Sequence, residues 1–180
     1  GWNPIFEKEN IIALNKGGKN ITLEPGNQIE LSGDKLNHMH EACAESQDYL
    51  FELKQVTKKL DIKIVSAGFD PISKLNEIPG NPKQRYELMT KDMPLGGELS
   101  LDMMYRTCGT QLNLDYKSEE DFIKKFRVAN SIVPIVIALF ANSSIVEKKN
   151  SNYLSYRSKV WQSTSRAVSY THLRAHETYT

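Results

Sequence analysis

Ile21-Thr22-Leu23-Glu24-Pro25-Gly26-Asn27-Gln28-Ile29-Glu30-Leu31 is the stretch on which the fold turns. Pro25-Gly26-Asn27 marks a tight turn, and beyond it apolar and polar residues alternate with the period of two expected of a half-buried strand. The segment therefore reads as strand, turn, strand, with Gln28 and Glu30 on one face. Upstream, Ile11-Ile12-Ala13-Leu14 and the strand beginning at Ile21 flank Gly17-Gly18. Glycine reaches the positive φ that tight hairpin turns require, so a second hairpin precedes the first.

The chain then changes period. Between residues 34 and 60 there is neither Pro nor Gly, and Leu36, Met39, Cys43, Leu50, Leu53 and Leu60 recur at multiples of three and four. That pattern predicts a long amphipathic helix capped by Asp34. Residues 62–69 read as a buried strand. Residues 71–82, broken by three prolines and Gly80, read as a loop. A short helix is expected over residues 83–91, stopped by Pro94 and Gly96-Gly97. Gln111-Leu112-Asn113-Leu114-Asp115-Tyr116 alternates again, which predicts a strand with Gln111, Asn113 and Asp115 on one face. Ser118 then caps a helix carrying Phe122, Phe126, Ala129, Val133, Ile137 and Phe140 down one side, with a kink expected at Pro134.

The balance of charge narrows the choice of partner. Lysine plus arginine total 23 and aspartate plus glutamate 22, so nothing points to a nucleic acid or a membrane surface. The longest apolar run, residues 132–141, is about half the length of a membrane span. Cys43 and Cys108 have no C-x-x-C spacing, against both a disulfide scaffold and a cysteine-based zinc site. A reducing compartment fits, and the expected location is cytoplasmic. From about Ala167 the apolar period disappears. Residues 167–180 resemble translated adapter read-through and are set apart from the preceding 166, so His172 and His176 receive no role.

Several polar groups could carry chemistry. Glu24 and Glu30 are carboxylates on strand segments joined by a turn, and magnesium prefers such oxygens. On pattern alone they belong to the solvated face of a hairpin. Gln111, Asn113 and Asp115 form a polar strand face that could orient an amino acid or a phosphate-bound metal, or could simply face water. Arg157 could grip a carboxylate in a bidentate fork. His38 and His40, two apart on a helix, point in different directions and read as surface residues. Cys108 lacks a nearby base and reads as a buried, inert thiol. No G-x-x-x-x-G-K phosphate loop occurs, so any use of ATP must rest on metals and a concave sheet.

Six blocks in order then carry a family resemblance. These are residues 21–33, Pro82-Lys83-Gln84-Arg85-Tyr86, Leu101-Asp102-Met103-Met104-Tyr105-Arg106-Thr107-Cys108, Gln111-Leu112-Asn113-Leu114-Asp115, Ala138-Leu139-Phe140-Ala141-Asn142-Ser143 and Ser155-Tyr156-Arg157-Ser158-Lys159-Val160-Trp161. Together they resemble the glutamate–cysteine ligases of plants and many proteobacteria, from about Glu9 to Gln162. The resemblance implies an α+β protein, a central part of a glutamine-synthetase-like fold whose curved, mainly antiparallel sheet is backed by helices. It implies that ATP phosphorylates the γ-carboxyl of glutamate and that the amine of cysteine displaces the phosphate, the first step of glutathione synthesis.

For the residues, the resemblance implies that Glu24 and Glu30 bind Mg2+ and that Gln28, Gln111 and Asn113 line the nucleotide and metal site. Met104 and Arg106 then belong to the wall around the amino-acid substrates. Arg85 and Arg157 pair with a substrate carboxylate or the transferring phosphoryl group. Asn27 stands where the family usually has a second glycine, and asparagine tolerates the same left-handed turn. Two other classes of function remain open: a ligase of the same fold with a different amine acceptor, and a noncatalytic binding domain.

Overall fold

The computed structural model describes residues 1–164, which divide into two compact units, Gly1–Ser66 with Pro79–Met89, and Ala67–Ile78 with the chain from Thr90. The tail that the sequence sets apart from Ala167 onward lies outside the described residues. The chain is mixed α and β with antiparallel sheets.

The first unit is built on four antiparallel strands in sequential order, β1 (Asn3–Glu7), β2 (Asn10–Lys16), β3 (Lys19–Leu23) and β4 (Ile29–Ser32). Lys16 pairs with Lys19, leaving Gly17-Gly18 as a two-residue loop in which Gly17 has φ +64°. The turn between β3 and β4 is the expected one. Asn27 N–H donates to the Glu24 carbonyl at 2.8 Å, Glu24 N–H donates to that of Gln28 at 2.9 Å, and Asn27 takes φ +61°. This is the three-residue hairpin loop that needs a left-handed residue at its end. β1 was not foreseen. It joins β2 through Lys8-Glu9, where Lys8 adopts φ +56° although no turn-forming residue announces it.

α1 (Met39–Lys59) starts later than the apolar period suggested, with His38 rather than Asp34 as its cap. The His38 ring accepts from Glu41 N–H at 3.4 Å. Glu41 and Glu45 reach back to the backbone N–H groups of Asn37 and Asp34, at 2.7 and 3.1 Å, and hold that segment outside the helix. Lys16 and Trp2 meet Glu52 at 3.1 and 2.8 Å, and Lys19 meets Glu45 at 3.2 Å. α2 (Gln84–Asp92) matches the short helix expected, and its Tyr86 is the buried side chain. A 3-10 turn at Met93–Gly96 follows it.

Residues 62–69, which run from the end of the first unit's opening segment into the second unit, do not form the expected strand. Residues 61–66 are exposed, and burial begins at Gly68 and Phe69. Phe69 makes an isolated antiparallel bridge with Thr107, closed by Cys108 N–H to the Gly68 carbonyl at 3.1 Å and Asp70 N–H to that of Arg106 at 2.8 Å. α3 (Ser100–Arg106), absent from the sequence reading, buries Ser100, Met104 and Arg106. Phe69, 1% exposed, stacks edge-on with Tyr156 at 5.0 Å and is worth about 2 kcal/mol in burial.

Residues 111–116 form no strand either. Leu112 and Leu114 are 76% and 63% exposed, so the alternating pattern has no sheet to bury its apolar side among the described residues. α4 (Glu119–Leu139) starts as expected, with Ser118 Oγ accepting from Asp121 N–H at 3.2 Å and Pro134 inside the helix. Two short strands, β5 (Ile145–Val146) and β6 (Lys149–Asn150), lead to α5 (Tyr156–Gln162).

Candidate functional site

In the first unit the candidate residues gather where β3 turns into β4. Thr22 pairs with Glu30 in the antiparallel register, and Glu24 lies two residues beyond Thr22, so both carboxylates stand on one face. Each oxygen of Glu24 is held by a hydroxyl. Tyr86 Oη donates to Oε2 at 3.1 Å, and Thr22 Oγ1 donates to Oε1 at 3.2 Å. Glu30 is exposed, with the Ser32 hydroxyl at 3.4 Å. Burial pushes the Tyr86 phenol up to about 12, helped by the charge and hydrogen bond of Glu24 and by the charge of Glu30, with Arg85 opposing. Gln28 is drawn into the turn, its Oε1 accepting from Gly26 N–H at 2.8 Å.

α2 supplies cations around this carboxylate. Lys83, just before the helix, donates to the Leu23 carbonyl at 2.8 Å and lies 5.0 Å from the centroid of the Tyr86 ring. Arg85 is exposed, with its guanidinium 5.5 Å from the same centroid. Asn81 fastens the turn through its N–H to the Pro25 carbonyl at 3.0 Å. A groove of about 400 Å³ lies on the other face of the sheet, lined by Lys16, Lys19, Leu31, Tyr49 and Glu52 among others.

In the second unit Met104 and Arg106 are buried on α3, each about 95% covered. Arg106 Nη1 meets Asp102 at 2.8 Å and Glu147 at 3.5 Å, and its guanidinium lies 4.5 Å from the Phe69 ring centroid. Its Nε and Nη2 are buried with no hydrogen-bond partner among the described residues. Arg157 follows Ser155, the cap of α5, and donates its backbone N–H to Ser143 Oγ at 3.1 Å. Its side chain lies in a cradle of two glycines: a Cβ at Gly109 would stand 2.9 Å from Nη2, and one at Gly68 would stand 3.3 Å from Cδ. Burial lowers the pKa of this guanidinium.

Cys108 is exposed rather than buried, contrary to the sequence reading. The chain crowded round its sulfur still raises the thiol pKa, with Asp70 adding to the rise and Arg157 opposing it. Burial also works against the Asp70 carboxylate, but the N–H groups of Ser73 and Ile72 outweigh it and hold the pKa below the usual range. Gln111 and Asn113 are exposed and side by side, the amide of the first donating to the second at 2.8 Å. His38 and His40 are exposed, as expected of surface histidines.

Tyr86, Lys83, Glu147 and the two glycines escaped the sequence reading. Tyr86 and Lys83 lie in a family block, but only the folded chain shows that a residue some sixty positions away reaches Glu24.

A family model for glutamate–cysteine ligase matches residues 5–180. The chain belongs to glutamate–cysteine ligase family 2. Among the curated members of this ligase family, the chloroplastic glutamate–cysteine ligase of Nicotiana tabacum is 47% identical over 163 residues, covering 91% of this chain and 31% of the relative. Chloroplastic glutamate–cysteine ligase A of Oryza sativa subsp. japonica is also 47% identical over 163 residues. The Medicago truncatula protein is 45% identical over 165 residues, 92% of this chain and 32% of its own length. The chain thus spans about a third of the length of the curated ligases it matches. All three are chloroplastic by name, which overturns the cytoplasmic location expected from the cysteine pattern.

Proposed function

We propose that this chain is the central part of a plastid glutamate–cysteine ligase that joins the γ-carboxyl of glutamate to the amine of cysteine at the expense of ATP, the first step of glutathione synthesis. The observation that carries the reading is 47% identity to a protein of that name across 91% of this chain. A free carboxylate is a poor acyl donor. Phosphorylation by ATP supplies the leaving group that the cysteine amine then displaces. In this reading the four-stranded antiparallel sheet is one part of a larger glutamine-synthetase-like bowl.

Glu24 and Glu30 suit magnesium chemically. They are hard oxygen donors on one sheet face, and Mg2+ takes one or two carboxylates together with substrate phosphates and water. When bound, the ion offsets the charge of the triphosphate. The protein's own work is positional: Tyr86 and Thr22 orient Glu24, while Gln28, Gln111 and Asn113 offer amides to the nucleotide and metal site. Met104 and Arg106 wall the amino-acid site, Arg106 through its two buried N–H groups not paired with carboxylate. Arg85 and Arg157 offer planar forks to a substrate carboxylate or to the phosphoryl group in transit.

The test is an assay of ADP release by the full-length protein. Release that requires both glutamate and cysteine, with γ-glutamylcysteine as product, supports the reading. Release with another amine in place of cysteine, or none with any amine, refutes it.

A further inference from the structure

We propose that Tyr86 is a positioning residue for the Glu24 carboxylate, with Thr22 as its counterpart on the other oxygen, so that the carboxylate presents its remaining lone pairs to a divalent cation in one fixed orientation. The inference rests on the reading of Glu24 as a metal ligand and adds the device that aims it.

The geometry separates this arrangement from an ordinary surface hydrogen bond. Tyr86 is 4% exposed, and its ring is fixed in α2, whereas Glu24 is half-buried at the end of β3. A phenol has one proton to give. The Leu23 carbonyl stands 3.5 Å from Tyr86 Oη but already accepts from the Lys83 ammonium at 2.8 Å, and Lys83 Nζ also lies 3.5 Å from the phenol oxygen. The Lys83 ammonium can also donate to the phenol. Glu24 Oε2, at 3.1 Å, is nearer to the phenol than that carbonyl and is the charged acceptor, so the hydroxyl donates to it.

Thr22 Oγ1 approaches Oε1 from the strand at 3.2 Å. Each carboxylate oxygen therefore has one donor, from a different element, and χ rotation of Glu24 would break both bonds. Each oxygen keeps lone pairs for a cation, because an ionised carboxylate has about four acceptor sites. Groups that orient a metal ligand in this way commonly change metal affinity by about 10–100-fold when removed.

The decisive experiment uses the full-length protein and reads manganese binding directly, by the electron paramagnetic resonance of free Mn2+, in the presence of a non-hydrolysable ATP analogue. Tyr86→Phe keeps the ring and is expected to weaken Mn2+ about tenfold, with the melting midpoint nearly unchanged. Thr22→Val, isosteric and well suited to a strand, is expected to weaken it about tenfold, the low end of the same range. In a Glu24→Gln background Tyr86→Phe should add no further loss, because the ligand it aims is gone.

If Glu24→Gln weakens Mn2+ while neither Tyr86→Phe nor Thr22→Val does, Glu24 remains a ligand and the positioning role is overturned. If Glu24→Gln itself leaves binding intact, the metal reading of Glu24 fails and takes this inference with it. A loss in Tyr86→Phe that persists undiminished with Glu24→Gln would also overturn the role, since it would then act through something else.

Discussion

Gly109 and Arg157 meet so closely that a methyl group on the first would stand 2.9 Å from Nη2 of the second. The guanidinium is the far end of a flexible side chain, so Gly109→Ala forces it to move rather than forcing the backbone apart. The expected cost in stability is below about 1 kcal/mol, at the low end of overpacking effects. If Arg157 grips substrate or phosphoryl oxygens, displacing its fork by even an ångström costs on the order of 100-fold in turnover. Steady-state kinetics and urea unfolding of the full-length ligase measure the two quantities. Equal, small effects on both would rule out that role for Arg157.

Asp102 and Glu147 share Arg106 unequally. The side chain of Asp102 is 15% exposed and sits 2.8 Å away, while that of Glu147 is 41% exposed and 3.5 Å away. Asp102→Ala leaves a guanidinium buried beside Phe69 with one distant partner, a defect that costs about 3–5 kcal/mol in buried pairs. Glu147→Gln should cost less than about 1 kcal/mol, as for solvent-screened pairs. Denaturant midpoints of the two variants check the order.

The phenol of Tyr86 should ionise near 12 in an ultraviolet difference titration, against an ordinary value of 10.0. Burial opposes the phenolate, and the Glu24 charge opposes it further. The folded state therefore holds this proton more tightly than the unfolded chain. Its contribution to stability is complete below pH 10 and is lost as pH rises from there toward 12. Glu24→Gln removes the charge and should lower the midpoint, which the same titration reads.

Ser118→Ala removes the hydroxyl that accepts from Asp121 N–H and should destabilise the start of α4 by about 1 kcal/mol. Hydrogen exchange at residues 119–122 would show faster opening there and little change elsewhere.

Turns written in glycine and asparagine were legible, and turns written in charged residues were not. Gly17 and Asn27 both take the positive φ that their residue types favour, so β2, β3 and β4 could be placed. Lys8, Glu147 and Lys148 take positive φ as well, and the hairpins they close, β1 with β2 and β5 with β6, went unseen. Local preference disfavours a lysine there by about 1–2 kcal/mol, so strand pairing has to outweigh it. Alternation misled at residues 111–116, because a period of two predicts a face but not the neighbouring strand that would use it. It still placed Gln111 beside Asn113 correctly. At Glu24 the sequence offered a carboxylate at a turn, and the residues that orient it lay beyond any local pattern.

Consider last the two longest helices. α1 and α4, of 21 residues each, bury none of their side chains among the described residues, although Phe126, Ile132, Val133 and Ile137 run along α4. Much of their hydrocarbon is already wetted before unfolding begins. Heat capacity on unfolding tracks newly exposed apolar area, about 0.45 cal/mol/K for each Å². In a scanning calorimeter the chain would therefore give an unusually small step in baseline for its length. Its stability would vary with temperature along a broad, shallow curve, whereas a longer ligase chain that covered those helices would give a steeper one.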